Sequence, residues 1–137
     1  LALGATITTN KRAIKADDFF TGLFETALGD GEIIASISFP IPDKANYQKF
    51  RNPASRYAMV GVFVAKGPAG VRVAITGAGP CAFRVPEFEK ALAGGFDPAK
   101  IKDIAVKADG LNTDIHASAE YRAHLINVMA RRAMGAQ

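Results

Sequence analysis

The period of the apolar residues changes once along the chain, near Arg84, and that change limits the folds available to it. Before Arg84 the segments ATITTN, EIIASISF, NYQKFR, YAMVGVFVA and VRVAITGA are rich in Val, Ile, Phe and Thr and are cut by turn residues, the pattern of strands. After Arg84 the spacing is helical. Strands followed by helices, without βαβ alternation, predict an α+β layered domain: an antiparallel sheet of three to four strands covered on one face by three helices.

Within the strand half, Gly67 to Gly70 (GPAG) reads as a hairpin loop. The stretch Tyr57 to Ala65 is apolar almost throughout, which predicts a central strand covered on both faces. Pro40 and Pro42 end the strand before them, because proline removes a ladder donor and restricts the preceding residue. Asp17 to Ala27 reads as a short helical or irregular bridge anchored by Phe19, Phe20, Leu23 and Phe24.

In the helical half, Pro86 suits a first helical position, and Phe88, Ala91 and Leu92 form a short apolar stripe that stops at Gly94 and Gly95. Asp97 and Pro98 are a cap and first-turn pair for a second helix, with Ile101, Ile104, Ala105 and Ala108 inward until Gly110. The third helix lies in TDIHASAEYRAHLINVMARRAMGAQ. On a wheel of 3.6 residues per turn, Tyr121, Leu125, Ile126, Val128, Met129 and Ala133 share an apolar arc, and Glu120, Ala123, His124, Asn127 and Arg131 fall outside it. Arg122 falls inside. An unpaired buried guanidinium is expensive, so this arginine needs a carboxylate or carbonyl partner, and Asp114 is a candidate close upstream.

Composition narrows the classes of function. With 137 residues, 49% hydrophobic and 22% charged, the chain suits one soluble domain with a real core. No apolar run approaches the roughly 20 residues that span a bilayer, and LALGATITTN lacks the pattern of a secretory leader, so the expected location is cytoplasmic. A net charge of +4 raises the question of a polyanionic partner, but the basic residues show little clustering, and interleaved acids such as Asp103, Asp109 and Glu120 break up any stripe. Nucleic-acid binding is therefore not expected. A single cysteine, Cys81, excludes an internal disulfide and reads as a small core or strand residue.

Spacing alone reveals no catalytic constellation. Gly77-Ala78-Gly79 lacks the third glycine and the following helix of a dinucleotide fingerprint, and reads as a turn. His116 and His124 lack metal partners; the first belongs to the lead-in of the last helix and the second to its exposed side.

Four segments taken together carry a resemblance: RAIKADDFFTGLFETALGDGEIIASISFP, YQKFRNPASRYAMVGVFVA, VRVAITGAGPCAFRVPEFEKALAGG and TDIHASAEYRAHLINVMARRA. In order and spacing they resemble the C-terminal part of the FAD-binding (medium) subunit of molybdenum hydroxylases, a family that includes aerobic carbon monoxide dehydrogenase and xanthine dehydrogenase. The resemblance implies an electron-transfer role. A molybdenum subunit oxidises the substrate, an iron-sulfur subunit relays electrons, and the flavin subunit passes them to an external acceptor. It also implies three cofactor-binding positions: Ile34 as an apolar contact to the flavin ring, Lys49 as the basic residue near the isoalloxazine, and Tyr57 beside the ring. The family's glycine-rich pyrophosphate loops lie upstream of the matched region. Residues 1–30 are accordingly expected to be a remnant of the upstream FAD-binding domain, and residues 31–137 the C-terminal α+β domain. The alternative is an interaction domain of the same fold without a redox role.

Overall fold

In the computed structural model, which describes residues 1–135, the strands form two main sheets rather than one. The first holds β1 (Thr6–Thr9), β2 (Ala13–Lys15) and β5 (Ile34–Ser38), antiparallel in the order β2-β1-β5. Alternation along TITT and AIK turns Ile7 and Ile14 to one side, where they pack with Ala5, Ala16 and Phe19. β5 stops at Ser38, ahead of Pro40 as expected.

The Asp17–Ala27 bridge is one 3-10 turn, Ala16–Asp18, and a small hairpin of β3 (Phe20–Gly22) and β4 (Glu25–Thr26). Of its four expected anchors only Phe19 is buried, whereas Phe20, Leu23 and Phe24 are exposed. The hairpin lies on the surface, and its tip places Phe24 in the left-handed region at φ 57°.

The second sheet holds β6 (Lys44–Arg51), β7 (Ala58–Gly67), β8 (Gly70–Thr76) and β9 (Phe83–Arg84), antiparallel in that order. β7 is central, as its apolar run requires, and the β7–β8 hairpin turns at Pro68 and Ala69. Val60, Val62, Val64, Val73 and Ile75 face α1 (Pro86–Ala93) and α2 (Ala119–Ala133), meeting Phe88, Leu92, Leu125, Ile126 and Met129 in the main core. On the opposite face Tyr47 lies across Gly61, where any side chain would collide with its hydroxyl. A cleft of about 310 Å³ opens there, with Phe20, Phe39, Tyr47 and Phe63 among its walls.

The α+β class and the helix-covered antiparallel sheet hold, with two α-helices among the described residues instead of three. The second expected helix starts as read, the Asp97 carboxylate accepting from the Ala99 amide at 2.9 Å, but ends as a 3-10 turn at Ile101. The Asn127 side-chain amide on α2 donates to the Ile101 carbonyl at 2.7 Å and the Ile104 carbonyl at 3.0 Å. These carbonyls are then held against α2, and residues 102–108 run beside it as irregular chain. That segment also explains Ala123, expected outside the apolar arc but buried. Tyr121, expected inside the arc, is half out of the protein and packs edge-on against Phe50. Cys81 is neither core nor strand but sits half-buried in the β8–β9 connection, because the turn from Gly77 to Pro80 carries the chain off the sheet.

Asp17 joins the two sheets. Its carboxylate accepts from Arg72 at 2.6 Å and from Arg84 at 3.0 Å. Burial raises the Asp17 pKa, but the hydrogen bonds from Arg72 and Arg84 more than offset this, and it lies below its ordinary value.

Candidate functional site

The connection between β6 and β7 is built on Asn52. This buried side chain accepts from the amides of Ala54 (2.9 Å) and Ser55 (3.2 Å), an Asx-type turn that the Asn-Pro dipeptide favours. Its backbone amide donates to the Tyr57 carbonyl and its carbonyl accepts from Arg56, both at 2.9 Å. Closing so tight a loop drives Arg56 to φ 62°, a conformation a non-glycine residue rarely adopts. The Arg56 carbonyl accepts from the Lys49 ammonium at 3.0 Å. The Lys49 ammonium is thereby tied to the backbone just before Tyr57, at one end of the second sheet.

Tyr57 is 43% exposed, and its ring contacts His116 edge to face at 6.4 Å between centroids and 70° between planes. His116 belongs to the loop before α2, as expected, and the Asp114 carboxylate holds that loop. Oδ1 accepts from the amides of His116 (2.9 Å) and Ala117 (3.1 Å), and Oδ2 accepts from Arg122 Nη2 at 2.7 Å. The hydrogen bond from the His116 amide is the main reason that the Asp114 carboxyl lies below its ordinary pKa, with those from Ala117 and Arg122 adding to it.

The arginine inside the apolar arc thus has the acid the sequence suggested, and two partners it could not show. Arg122, 1% exposed, donates through Nη1 to the carbonyls of Met59 (2.7 Å) and Gly77 (3.2 Å). Gly77 stands at φ +79°, and a Cβ there would collide with the Ala58 carbonyl, so glycine is required beside this bond.

Ile34, the third expected contact, lies on β5 opposite Thr9 and is 39% exposed. Lys49 is hydrogen-bonded to the backbone just before Tyr57 and the Tyr57 ring packs on His116, whereas Ile34 lies on the other sheet. Sequence reasoning missed His116 as a neighbour of Tyr57, since 59 positions separate them and no local signal joins them. Asn52 was within reach through the Asn-Pro turn. Among the described residues no three His, Cys, Asp or Glu side chains gather as a metal site would need, and no helix is long and apolar enough to cross a membrane.

The architecture is that of an α+β domain presenting a lysine and an aromatic pair at one sheet end. The chain belongs to the family of the CO dehydrogenase flavoprotein C-terminal domain, which matches residues 45–137. It is 33% identical over 132 residues to the nicotine 6-hydroxylase medium subunit of Paenarthrobacter nicotinovorans, covering 89% of this chain and 47% of that one. To the glyceraldehyde dehydrogenase medium chain of Sulfolobus acidocaldarius it is 33% identical, over 96% of this chain and 52% of that one. The reconstituted CO dehydrogenase from Oligotropha carboxidovorans shares the fold, with a TM-score of 0.77 at 24% identity over 96% of this chain and 52% of that one. The chain spans about half the length of the curated relatives it matches.

Proposed function

We propose that this chain is the C-terminal part of the flavoprotein subunit of a molybdenum hydroxylase, where it helps to enclose FAD while electrons pass from iron-sulfur clusters to an external acceptor. The observation that carries the reading is the hydrogen bond that ties Lys49 to the backbone just before Tyr57. The Arg56 carbonyl accepts one hydrogen of the half-buried Lys49 ammonium. A lysine ammonium has three donors, so two remain for the polar edge of a ring system. Tyr57, the next residue after Arg56, offers a half-exposed aromatic surface. This pair fits a flat heteroaromatic ring bearing carbonyls, and Ile34 would add an apolar contact from the first sheet.

Bound FAD supplies the redox chemistry, and the residues of this chain orient the ring and keep water from it. The diphosphate requires backbone donors of its own. Among the described residues α1 starts at a proline, and the Ser118 hydroxyl at the start of α2 accepts from that helix's own Tyr121 amide. In this reading the diphosphate is held by an upstream FAD-binding domain. Residues 1–30 go with that domain, and β5, which hydrogen-bonds to β1, ties residues 31–137 to it. Ile33, Ile37, Phe39 and Ile41 are exposed in and beside β5, an apolar surface that an adjoining domain would cover. The iron-sulfur and molybdenum subunits would be its partners, in the cytoplasm.

The test is Lys49→Ala in the full-length, FAD-loaded subunit. An exposed lysine elsewhere costs within about 0.5 kcal/mol of stability, so the fold should survive while flavin content or reduction potential changes. Unchanged content, potential and reoxidation rate would return Lys49 to the ordinary surface.

A further inference from the structure

His116 and Tyr57 are joined twice, once through their rings and once through a chain of hydrogen bonds beneath them. Above, the rings meet edge to face. Below, Met59, on β7 and two residues after Tyr57, accepts from Arg122. Arg122 also donates to Asp114, and Asp114 accepts from the His116 amide. The loop is closed: the start of β7, which Tyr57 immediately precedes, the buried arginine, the acid and the imidazole return to the Tyr57 ring. Both strand and imidazole thus take their position from one guanidinium that is 1% exposed.

The remaining freedom of Tyr57 is in its side chain, which is 43% exposed and needs a neighbour to select one ring orientation. Edge-to-face pairs hold such geometry at centroid separations of about 4.5–7 Å, and the observed 6.4 Å lies within that range. Asp114 need not touch the tyrosine to affect it. By accepting from the amides of both His116 and Ala117 it fixes the turn from which the imidazole projects.

We propose that His116 is a positioning residue for Tyr57, setting the ring that Tyr57 presents to the isoalloxazine, with Asp114 and Arg122 holding His116 in register. This rests on the placement of Tyr57 beside the flavin and adds to it a residue that acts only through the tyrosine. The ring of His116, and not its charge, is what the geometry uses, so phenylalanine at this position should preserve the function that alanine loses.

The chain has three tyrosines and no tryptophan, so 3-fluorotyrosine labelling yields three ¹⁹F resonances, and Tyr57→Phe identifies the one that matters. His116→Ala should shift the Tyr57 resonance and leave that of Tyr47, on β6, in place as a check on the fold. His116→Phe should restore most of that shift, and Asp114→Ala should move the same resonance. In the full-length subunit loaded with FAD, His116→Ala should change the visible flavin spectrum and reduction potential in the same direction as Tyr57→Leu, and His116→Phe should reverse the change. A Tyr57 resonance indifferent to His116→Ala overturns the positioning role. A flavin that responds to Tyr57→Leu but not to His116→Ala also overturns it, whereas a flavin indifferent to Tyr57→Leu overturns the placement of Tyr57 on which it rests.

Discussion

Replacing Arg122 by methionine separates the two things that the arginine does. Methionine keeps an unbranched stem of similar reach, so packing against the core is largely retained, but it removes the donors to Met59, Gly77 and Asp114. Two effects then oppose each other. Taking a guanidinium out of an apolar site relieves its desolvation, and whole buried ion pairs replaced by apolar residues are often neutral or stabilising. Here, however, the partners stay behind. An abandoned buried carbonyl costs about 1–3 kcal/mol. The Met59 carbonyl belongs to a buried residue and meets that cost, whereas Gly77 is half-buried and Asp114 exposed, so water can reach both. The loss should be about 2 kcal/mol. Arg122→Ala should cost more, since the stem goes too.

Urea unfolding followed by far-ultraviolet circular dichroism measures both variants, and an unchanged slope with a lower midpoint is the expected form. Arg122→Met as stable as the parent chain, or more so, would refute the reasoning, because the carbonyls would then have no need of the arginine. The pH dependence gives a second check. The Asp114 pKa is depressed in the folded state, so its contribution is fully present above the ordinary aspartate value of 3.8 and is lost as pH falls through the folded value. The stability difference between the parent and Asp114→Asn should shrink as the pH drops below about 3.8, and a difference that grows there would contradict the sign.

Three further outcomes are expected. Glu32 accepts from Arg12, the Gly29 amide and Thr9, which hold its pKa at about 2, so Arg12→Ala should raise it toward 4.5 in a carboxyl ¹³C titration, with stability lost between these values as pH falls. Gly61→Ala should destabilise the second sheet by about 1–3 kcal/mol, an overpacking cost, and by less when Tyr47→Phe removes the hydroxyl in its way; equal costs in both backgrounds would exclude the tyrosine hydroxyl as the obstacle. Titrated with FAD and followed by calorimetry, the 137-residue chain should show no saturable binding in the micromolar range, roughly −8 kcal/mol, because ring contacts alone do not offset the ordering cost; stoichiometric binding would contradict the division of labour proposed between ring and diphosphate.

The sequence by itself determined what acts over a few residues: β7 as a central strand, the end of β5 before Pro40, Pro86 opening α1, and the Asp97 cap. Capping, proline sterics and apolar period are local forces, and they read the same in the chain as in the fold. Arg122 was legible for a related reason, since a charge on an apolar arc demands a partner, and Asp114 lies only eight residues away. Only tertiary structure decided the rest. Where the second expected helix would continue, an amide on α2 holds the carbonyls of Ile101 and Ile104 and the chain runs irregularly beside that helix, and β5 pairs with β1 in a separate sheet, a pairing between distant strands that leaves no trace in either segment alone. Lys49 and Tyr57 were marked by family likeness, but the hydrogen bond that holds Lys49 beside the Tyr57 backbone depends on the left-handed turn at Arg56, and the loop of His116 is held by an acid that pairs with an arginine whose other partners are two distant carbonyls. Backbone carbonyls are identical at every residue, so only the folded chain selects which of them face a buried guanidinium.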